Sequence, residues 1–375
     1  MKILINCSNL RQGGGIQVAD SICSYLEKYQ MHHFIVVLST ALMGIEQRIG
    51  SYNNVSVVHY DLPKTLRSSM FQRDRFLDEL VEKEKIDVVL TVFGPARWKP
   101  RVPHLCGFAR AHILPMDTPY FDNLPIKDRI LNYIVKKSFE KSADNYWTEN
   151  PAVTTLLQRV FPRKKIYTVS NTYNQVFDDS TKWKEHTLPP FKGVTLLTVT
   201  NAHPHKNLEL ALGISKELRQ TDPDFKFRFV FTIDKNEYQK LPEELEQCFC
   251  FIGRVDIAEC PSLYQQADIM FQPTLLECFT ATYAEAMRME VPIVTTALPF
   301  AKGLCQDAAL YFAPLSAKEA AQCIYKVSHD EKLRGDLIEA GKNQLETFAT
   351  AEQRADRLVA ILEEVAGKKE KQRNE

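Results

Sequence analysis

The sequence predicts an α/β protein made of two doubly wound parallel-sheet domains, and three observations predict it. Short runs rich in Val, Ile and Phe alternate with longer amphipathic stretches, the pattern of βα units laid on a parallel sheet. The pattern runs to Val169, lapses in a polar stretch over 178–192 that contains Pro189 and Pro190, and restarts at Val194. The chain has 375 residues, roughly 2.5 times the usual size of one domain and enough for two cores.

The strands expected in the first domain cover residues 2–6, 34–39, 55–59, 87–93, 104–108, 145–148 and 166–169. Those of the second cover 194–200, 227–233, 248–252, 269–272, 293–296 and 309–312. Residues 1–175 form the N-terminal domain in this reading and 176–350 the C-terminal one. An amphipathic helix over 351–367 ends the fold, and 368–375 is a charged, frayed tail.

Composition excludes several classes. Hydrophobic residues make up 45%, aromatics 10% and charged residues 25%, too rich in Phe, Tyr and Ile for a disordered chain. Lys and Arg number 47 and Asp and Glu 47, so no net field recruits a polyanion, and no nucleic-acid partner is expected. Nine cysteines contain no Cys-x-x-Cys pair, and the closest two, Cys248 and Cys250, lie in a hydrophobic run. They read as reduced thiols, with neither a zinc site nor a disulfide framework. The apolar start Ile3, Leu4, Ile5 turns polar at Asn6, far short of a signal-peptide core. No apolar run approaches the ~18 residues of a membrane span, so a cytoplasmic protein is expected.

Ligands of open parallel sheets bind beyond the carboxyl ends of the strands, where loops enter helix N-termini. The first such loop holds Gly13, Gly14 and Gly15 and opens a helix over 16–28. Amides of Gly14 and Gly15 can approach an anion with no Cβ in the way, and the helix dipole favours negative charge there; a merely tight turn is the alternative. A dinucleotide fold would also need an acidic residue after the second strand and a third glycine, where this chain has Leu38-Ser39-Thr40 and Val18. A nicotinamide oxidoreductase is thereby disfavoured.

The most informative loop follows the strand at 269–272 and runs from Pro273 into a helix starting near Thr280. Glu277 lies in the loop and Glu285 about a turn and a half inside the helix. Two carboxylates so placed can each accept hydrogen bonds from a diol, while the amides of Phe279, Thr280 and Ala281 between them suit a phosphate. For most Glu pairs at this spacing the alternative is a solvated helix surface.

Glu277 and Glu285, with Phe251-Ile252-Gly253-Arg254-Val255 before them and Val291-Pro292-Ile293-Val294 after, resemble the paired-glutamate region of family 4 retaining glycosyltransferases. Val169-Ser170-Asn171 with Phe177 is similar to that family's hinge. The resemblance is dense over 195–315 and thin, though compatible, in the first half. It implies a GT-B architecture, two Rossmann-like domains facing across a cleft, and transfer from a nucleoside diphosphate sugar. By that resemblance Glu285 binds ribose hydroxyls, Glu277 sugar hydroxyls, and Lys206 the departing diphosphate.

Departures from the family pattern leave questions open. Asn201 stands where many relatives have an arginine, and either His205 or Arg254 could restore that charge. Cys278 and Thr280 replace flanking glycines, so donor identity cannot be copied from relatives. Relatives often place a histidine after the fifth strand, and His112 is the nearest candidate, whereas strict spacing lands on Ala109. No carboxylate is placed to attack the anomeric carbon, so the resemblance implies front-face retention with no essential metal and no cofactor beyond a UDP- or GDP-sugar. Asp222 and Asp224 read as a turn.

The acceptor, a glycan or lipid-linked sugar of surface polysaccharide or lipopolysaccharide synthesis, is expected on the N-terminal domain. The candidate surfaces are Arg97-Trp98-Lys99-Pro100-Arg101 and a basic amphipathic helix over 126–141. That helix either meets anionic lipid at the inner face of the plasma membrane or lies with its apolar stripe on the sheet. A nucleotide-sugar-binding protein and an epimerase of similar fold, both lacking an acceptor, remain alternatives.

Overall fold

Every run read as a strand is a strand, because residues buried on both faces of a parallel sheet leave near-continuous Val, Ile and Phe. The computed structural model describes residues 1–11, 13–63, 72–238 and 241–374, with side chains to residue 367 in the last helix. It divides into two compact units. The first comprises Met1–Pro115, Leu124–Asn171 and Ala349–Glu375; the second comprises Met116–Asn123 and Thr172–Phe348.

Unit one contains β1 (Lys2–Cys7), α1 (Gly14–Cys23), β2 (His33–Leu38), α2 (Met43–Ile49), β3 (Val55–His59), α3 (Arg75–Glu84), β4 (Val88–Thr91) and β5 (His104–Gly107). It continues with α4 (Ile126–Ser142), β6 (Asn145–Thr148), α5 (Pro151–Val160) and β7 (Lys165–Thr168). The strands form one parallel sheet in the order β3-β2-β1-β4-β5-β6-β7. Alternation splits the side chains between two cores: Ile3, Ile5, Phe34, Val36 and Leu38 face one layer, and Leu4, Ile35 and Val37 the other. Local chemistry sets the helix ends. Asp74 caps α3 by accepting from Leu77 N at 3.0 Å, and Asn150 caps α5 with Pro151 in its first turn.

Unit two contains β8 (Val194–Thr198), α6 (Leu210–Thr221), β9 (Phe227–Phe231), β10 (Phe249–Phe251), α7 (Cys260–Gln265), β11 (Ile269–Gln272), α8 (Ala281–Arg288) and β12 (Ile293–Thr296). It ends with α9 (Pro299–Cys305), β13 (Ala309–Phe312), α10 (Ala317–His329) and α11 (Glu331–Glu346). Its parallel sheet runs β10-β9-β8-β11-β12-β13. Leu197, Val230, Met270 and Ile293 face α7, α8 and α9, whereas Leu196, Phe229, Phe271 and Val294 face α6 and α10.

The last helix, α12 (Ala351–Asn374), belongs to unit one, where Leu358, Ile361, Leu362 and Val365 join the core around β1. Its backbone stays helical through the segment read as a frayed tail. A second difference concerns α1, which ends at Cys23 and is followed by a separate turn at Leu26–Lys28. A third concerns Trp98, offered as an acceptor-facing aromatic. It is fully buried and donates through Nε1 to Asp78 at 2.9 Å, so that stretch anchors α3 rather than presenting a ring to solvent. None of the nine cysteines forms a disulfide. Asp222 and Asp224 make the expected turn, Asp224 N donating to Asp222 Oδ1 at 3.0 Å.

Candidate active site

In unit two the chain leaves β8 towards β9 on one side and leaves β11 towards β12 on the other, so the loops after β8 and β11 diverge from neighbouring strands. Between them lies the crevice where open α/β sheets bind ligands. The first loop carries Asn201, His203, His205 and Lys206; the second carries Pro273 to Thr280. They are bonded to each other through the backbone, Leu275 N donating to His205 O at 2.7 Å and Thr274 Oγ1 to the same carbonyl at 3.2 Å.

This splice brings Lys206 onto Glu277. The ammonium donates to Glu277 Oε1 at 2.5 Å, and the Thr274 hydroxyl, its one proton shared with His205 O, lies 3.0 Å from the same oxygen. Their side chains are only 14% and 12% exposed. Two charges this far from water have lost hydration that their mutual attraction only partly restores, so the pair is weak evidence for stability. A polyanion arriving beside Lys206, or a hydroxyl-rich ring beside Glu277, would supply further partners for both.

Glu285 is 4% exposed and points towards α7, accepting from the hydroxyl of Tyr264 at 3.0 Å. Burial pushes its carboxyl up to about 7, with the Tyr264 hydrogen bond pulling the other way. Thr280 precedes α8 in an extended conformation, but its hydroxyl caps none of the first-turn amides and pairs with Thr282 at 2.9 Å. The amides opening α8, from Ala281 onward, therefore face the crevice end of β11 with the positive end of the helix dipole. Phe279 turns its ring into the core, edge-on to Phe348.

The remaining predicted residues lie around or apart from this group. Asn201 is exposed at the head of its loop, and the His203 and His205 rings stack at 5.6 Å. Arg254 follows β10, is 83% exposed, and has its guanidinium 3.8 Å from Glu237. Gly14 and Gly15 open α1 in unit one behind Gly13, whose φ of 76° suits a residue without Cβ. His112 sits in a short turn after β5, also in unit one, and lines an open cavity with Asn132, Tyr133, Lys136 and Arg159. His104 is structural, held between Thr91 and Ser142, with burial pushing its pKa down to about 4.

Sequence reasoning missed two contributors. The segment Met116–Asn123, between β5 and α4 in the chain, packs with unit two. Thr118 Oγ1 donates to Leu275 O at 2.7 Å, and the Tyr120 ring meets His205 edge-on at 6.1 Å. Only the Thr118-Pro119 cap hinted at an ordered turn there. Gln272, the last residue of β11, is 1% exposed, and neither polar atom of its amide has a hydrogen-bond partner among the described residues. The apolar run around it gave no reason to single it out.

Residues 179–344 match the family described as glycosyl transferases group 1. No curated protein matches the chain in sequence. Among solved structures it is similar to a glycosyltransferase from Rickettsia africae, with a TM-score of 0.69 and 16% identity over 97% of this chain and 98% of that one. It is also similar to sucrose-phosphate synthase from Thermosynechococcus elongatus, with a TM-score of 0.71 and 13% identity over 97% and 98%. A third likeness is to Anabaena HepE in complex with UDP and glucose, with a TM-score of 0.67 and 12% identity over 96% and 99%. At such identities the structures speak for the two-sheet GT-B fold. The sequence match encloses the crevice itself, so the part of unit two that holds Lys206, Glu277 and Glu285 is similar to the glycosyl transferases group 1 family.

Proposed function

We propose that the protein is a retaining glycosyltransferase that moves a sugar from a nucleoside diphosphate sugar to a glycan or lipid-linked acceptor. The observation that carries this reading is the meeting of Lys206 and Glu277 at 2.5 Å on the divergent loops, with buried Glu285 one helix turn beyond uncapped amides. Three functions are needed at such a site, and each has a group: a cation for the diphosphate, an acceptor for sugar hydroxyls, and a second acceptor for the ribose.

In this mechanism the bond between the anomeric carbon and the diphosphate oxygen breaks while the acceptor oxygen attacks from the same face. The acceptor proton passes to the leaving diphosphate. Lys206 and the first amides of α8 hold the charge that develops on that group, an effect worth roughly 10²- to 10³-fold in rate per well-placed donor. Glu277 releases one hydrogen bond from Lys206 as it accepts from the sugar. Glu285 accepts from the ribose in its ionised form. Asn201 and His205 border the same loop, and Arg254 stands further along the sheet edge as a mobile cation for the phosphates. No cofactor or metal is required beyond the UDP- or GDP-sugar. The acceptor binds on unit one, which carries Gly14, Gly15 and His112, and the protein works in the cytoplasm against a surface-polysaccharide or lipopolysaccharide intermediate.

Calorimetric titration of UDP, GDP and ADP into the wild type and Glu285→Ala tests the donor site. One nucleotide should bind in the micromolar range and lose about tenfold or more in the variant, the scale of one lost charged hydrogen bond. No binding, or equal binding to both proteins, overturns the assignment. Incubation with donor alone separates an epimerase, which would change the sugar without an acceptor.

A further inference from the structure

Large hydrophobic side chains left in water usually occur singly, and a cluster marks a contact surface. Among the described residues, Ile126, Ile130, Leu131 and Tyr133 of α4 are exposed by 78%, 57%, 48% and 61%. Residues 126, 130 and 133 fall on one stripe of the helix, at spacings of four and three, and that stripe continues into Lys137 and Lys141. The buried side of α4 is instead small or shared, with Ser138, Phe139 and Ser142 against the unit. Helix α4 thus shows water the face that would ordinarily be its packing face.

The charge around the stripe has one sign in excess. Lys127, Arg129, Lys136, Lys137 and Lys141 outnumber Asp128 and Glu140 on this helix. Beside it opens a cavity of about 390 Å³ lined by Asn132, Tyr133 and Lys136 of α4, by His112, and by Arg159 of α5, with no acidic side chain among the described residues of its wall. Tyr133 belongs to both the stripe and the cavity. Apolar residues at one end of a helix, cations along its flank, and a cationic cavity sharing a residue with them match a lipid whose phosphate and chains lie side by side.

We propose that this face of unit one docks on an anionic phospholipid surface, with a lipid phosphate held between Lys136 and Arg159 and the Ile126, Ile130 and Tyr133 side chains in the acyl boundary. A neutral surface offers nothing to the cavity, and a soluble polyanion offers nothing to the stripe. The proposal deepens the acceptor side of the transferase reading, yet it is measured without donor, so its failure leaves nucleotide binding intact and the two are distinguishable.

The test is co-sedimentation of the full chain with vesicles of phosphatidylglycerol and phosphatidylcholine in equal parts, against vesicles of phosphatidylcholine alone, at low and high salt. The wild type should partition onto the anionic vesicles and come off as salt rises. Lys136→Ser with Arg159→Ser should weaken partitioning about thirtyfold, from roughly a fivefold loss per juxtamembrane cation. Ile130→Ser with Tyr133→Ser should weaken it at least tenfold while leaving the melting temperature and nucleotide affinity unchanged, which separates lost docking from lost folding. Equal binding to both vesicle types, no binding to either, or an Ile130→Ser change that alters only self-association in light scattering would each overturn the proposal.

Discussion

Replacing Glu285 with Gln should make unit two more stable above neutral pH and leave it unchanged below about pH 4. The carboxyl ordinarily titrates near 4.5 and burial raises it to about 7 in the fold. A raised carboxyl binds its proton more tightly in the native state than in the unfolded one, so between these values the native chain carries the extra proton. Stability from this group is therefore complete below about 4.5 and is lost as pH rises through 7. The interval corresponds to about 3 kcal/mol in favour of Glu285→Gln at pH 8, falling to about 1 kcal/mol at pH 5 and vanishing below about pH 4. Gln keeps the same oxygen for the Tyr264 hydroxyl. Its amide carries two donor hydrogens where the protonated carboxyl carries one, so one more donor must find a partner beside Tyr264 and the gain is an upper bound. Glu149 has also been raised to about 7, but it is present in both proteins and cancels in the difference. The assay is urea unfolding at pH 5, 6, 7 and 8, following the transition that UDP or GDP shifts. A variant no more stable than wild type at pH 8, or a difference that does not vary with pH, would refute the account of a charge held in the interior for binding.

Three further outcomes follow from named contacts. Lys206→Ala should lower donor turnover by roughly 10²- to 10³-fold with a smaller change in nucleotide affinity, measured as kcat against Kd, since its charge is needed most as the diphosphate departs. Arg354 is 3% exposed, bonds Asn171, and donates to Ser21 Oγ at 2.5 Å, while Asn171 Nδ2 donates to Glu149 Oε1 at 2.5 Å. Arg354→Met should cost unit one about 3–5 kcal/mol at pH 8 and less at pH 5, and Glu149→Gln in the same background should restore part of it in a melting series. Leu362→Ala, at a site 1% exposed in the β1 core, should cost about 2–5 kcal/mol in the unit-one transition and leave nucleotide affinity unaltered.

The sheets were legible because buried parallel strands such as Phe34–Leu38 and Ile269–Gln272 carry their signal in composition alone, and a turn or cap follows each. The resemblance named residues on the loops after β8 and β11, and it is the strand order β9-β8-β11-β12 that sets those loops side by side. What periodicity does not encode is direction. The pattern at Ile126, Ile130 and Tyr133 announces an apolar stripe, but only packing decides that it faces water. Trp98 looked available beside Arg97 and Lys99, and only the position of Asp78 on α3 shows where its indole goes. Likewise nothing near Thr118 in sequence indicates that its hydroxyl finds Leu275, a partner 157 residues away.

The assignment of Ala349–Glu375 to the first unit bears on how the chain is made. A ribosome releases unit one's β strands early, yet the layer of Leu358, Ile361, Leu362 and Val365 that completes their core emerges only after unit two. Unit two has all its strands by Phe312 and its last helix by Glu346, so it can close while its neighbour still waits with an open hydrophobic side. During that interval the nascent chain exposes the surface around Ile3, Ile5 and Val36, which is where a holding chaperone would find it and where a stop codon before Ala349 would leave it permanently.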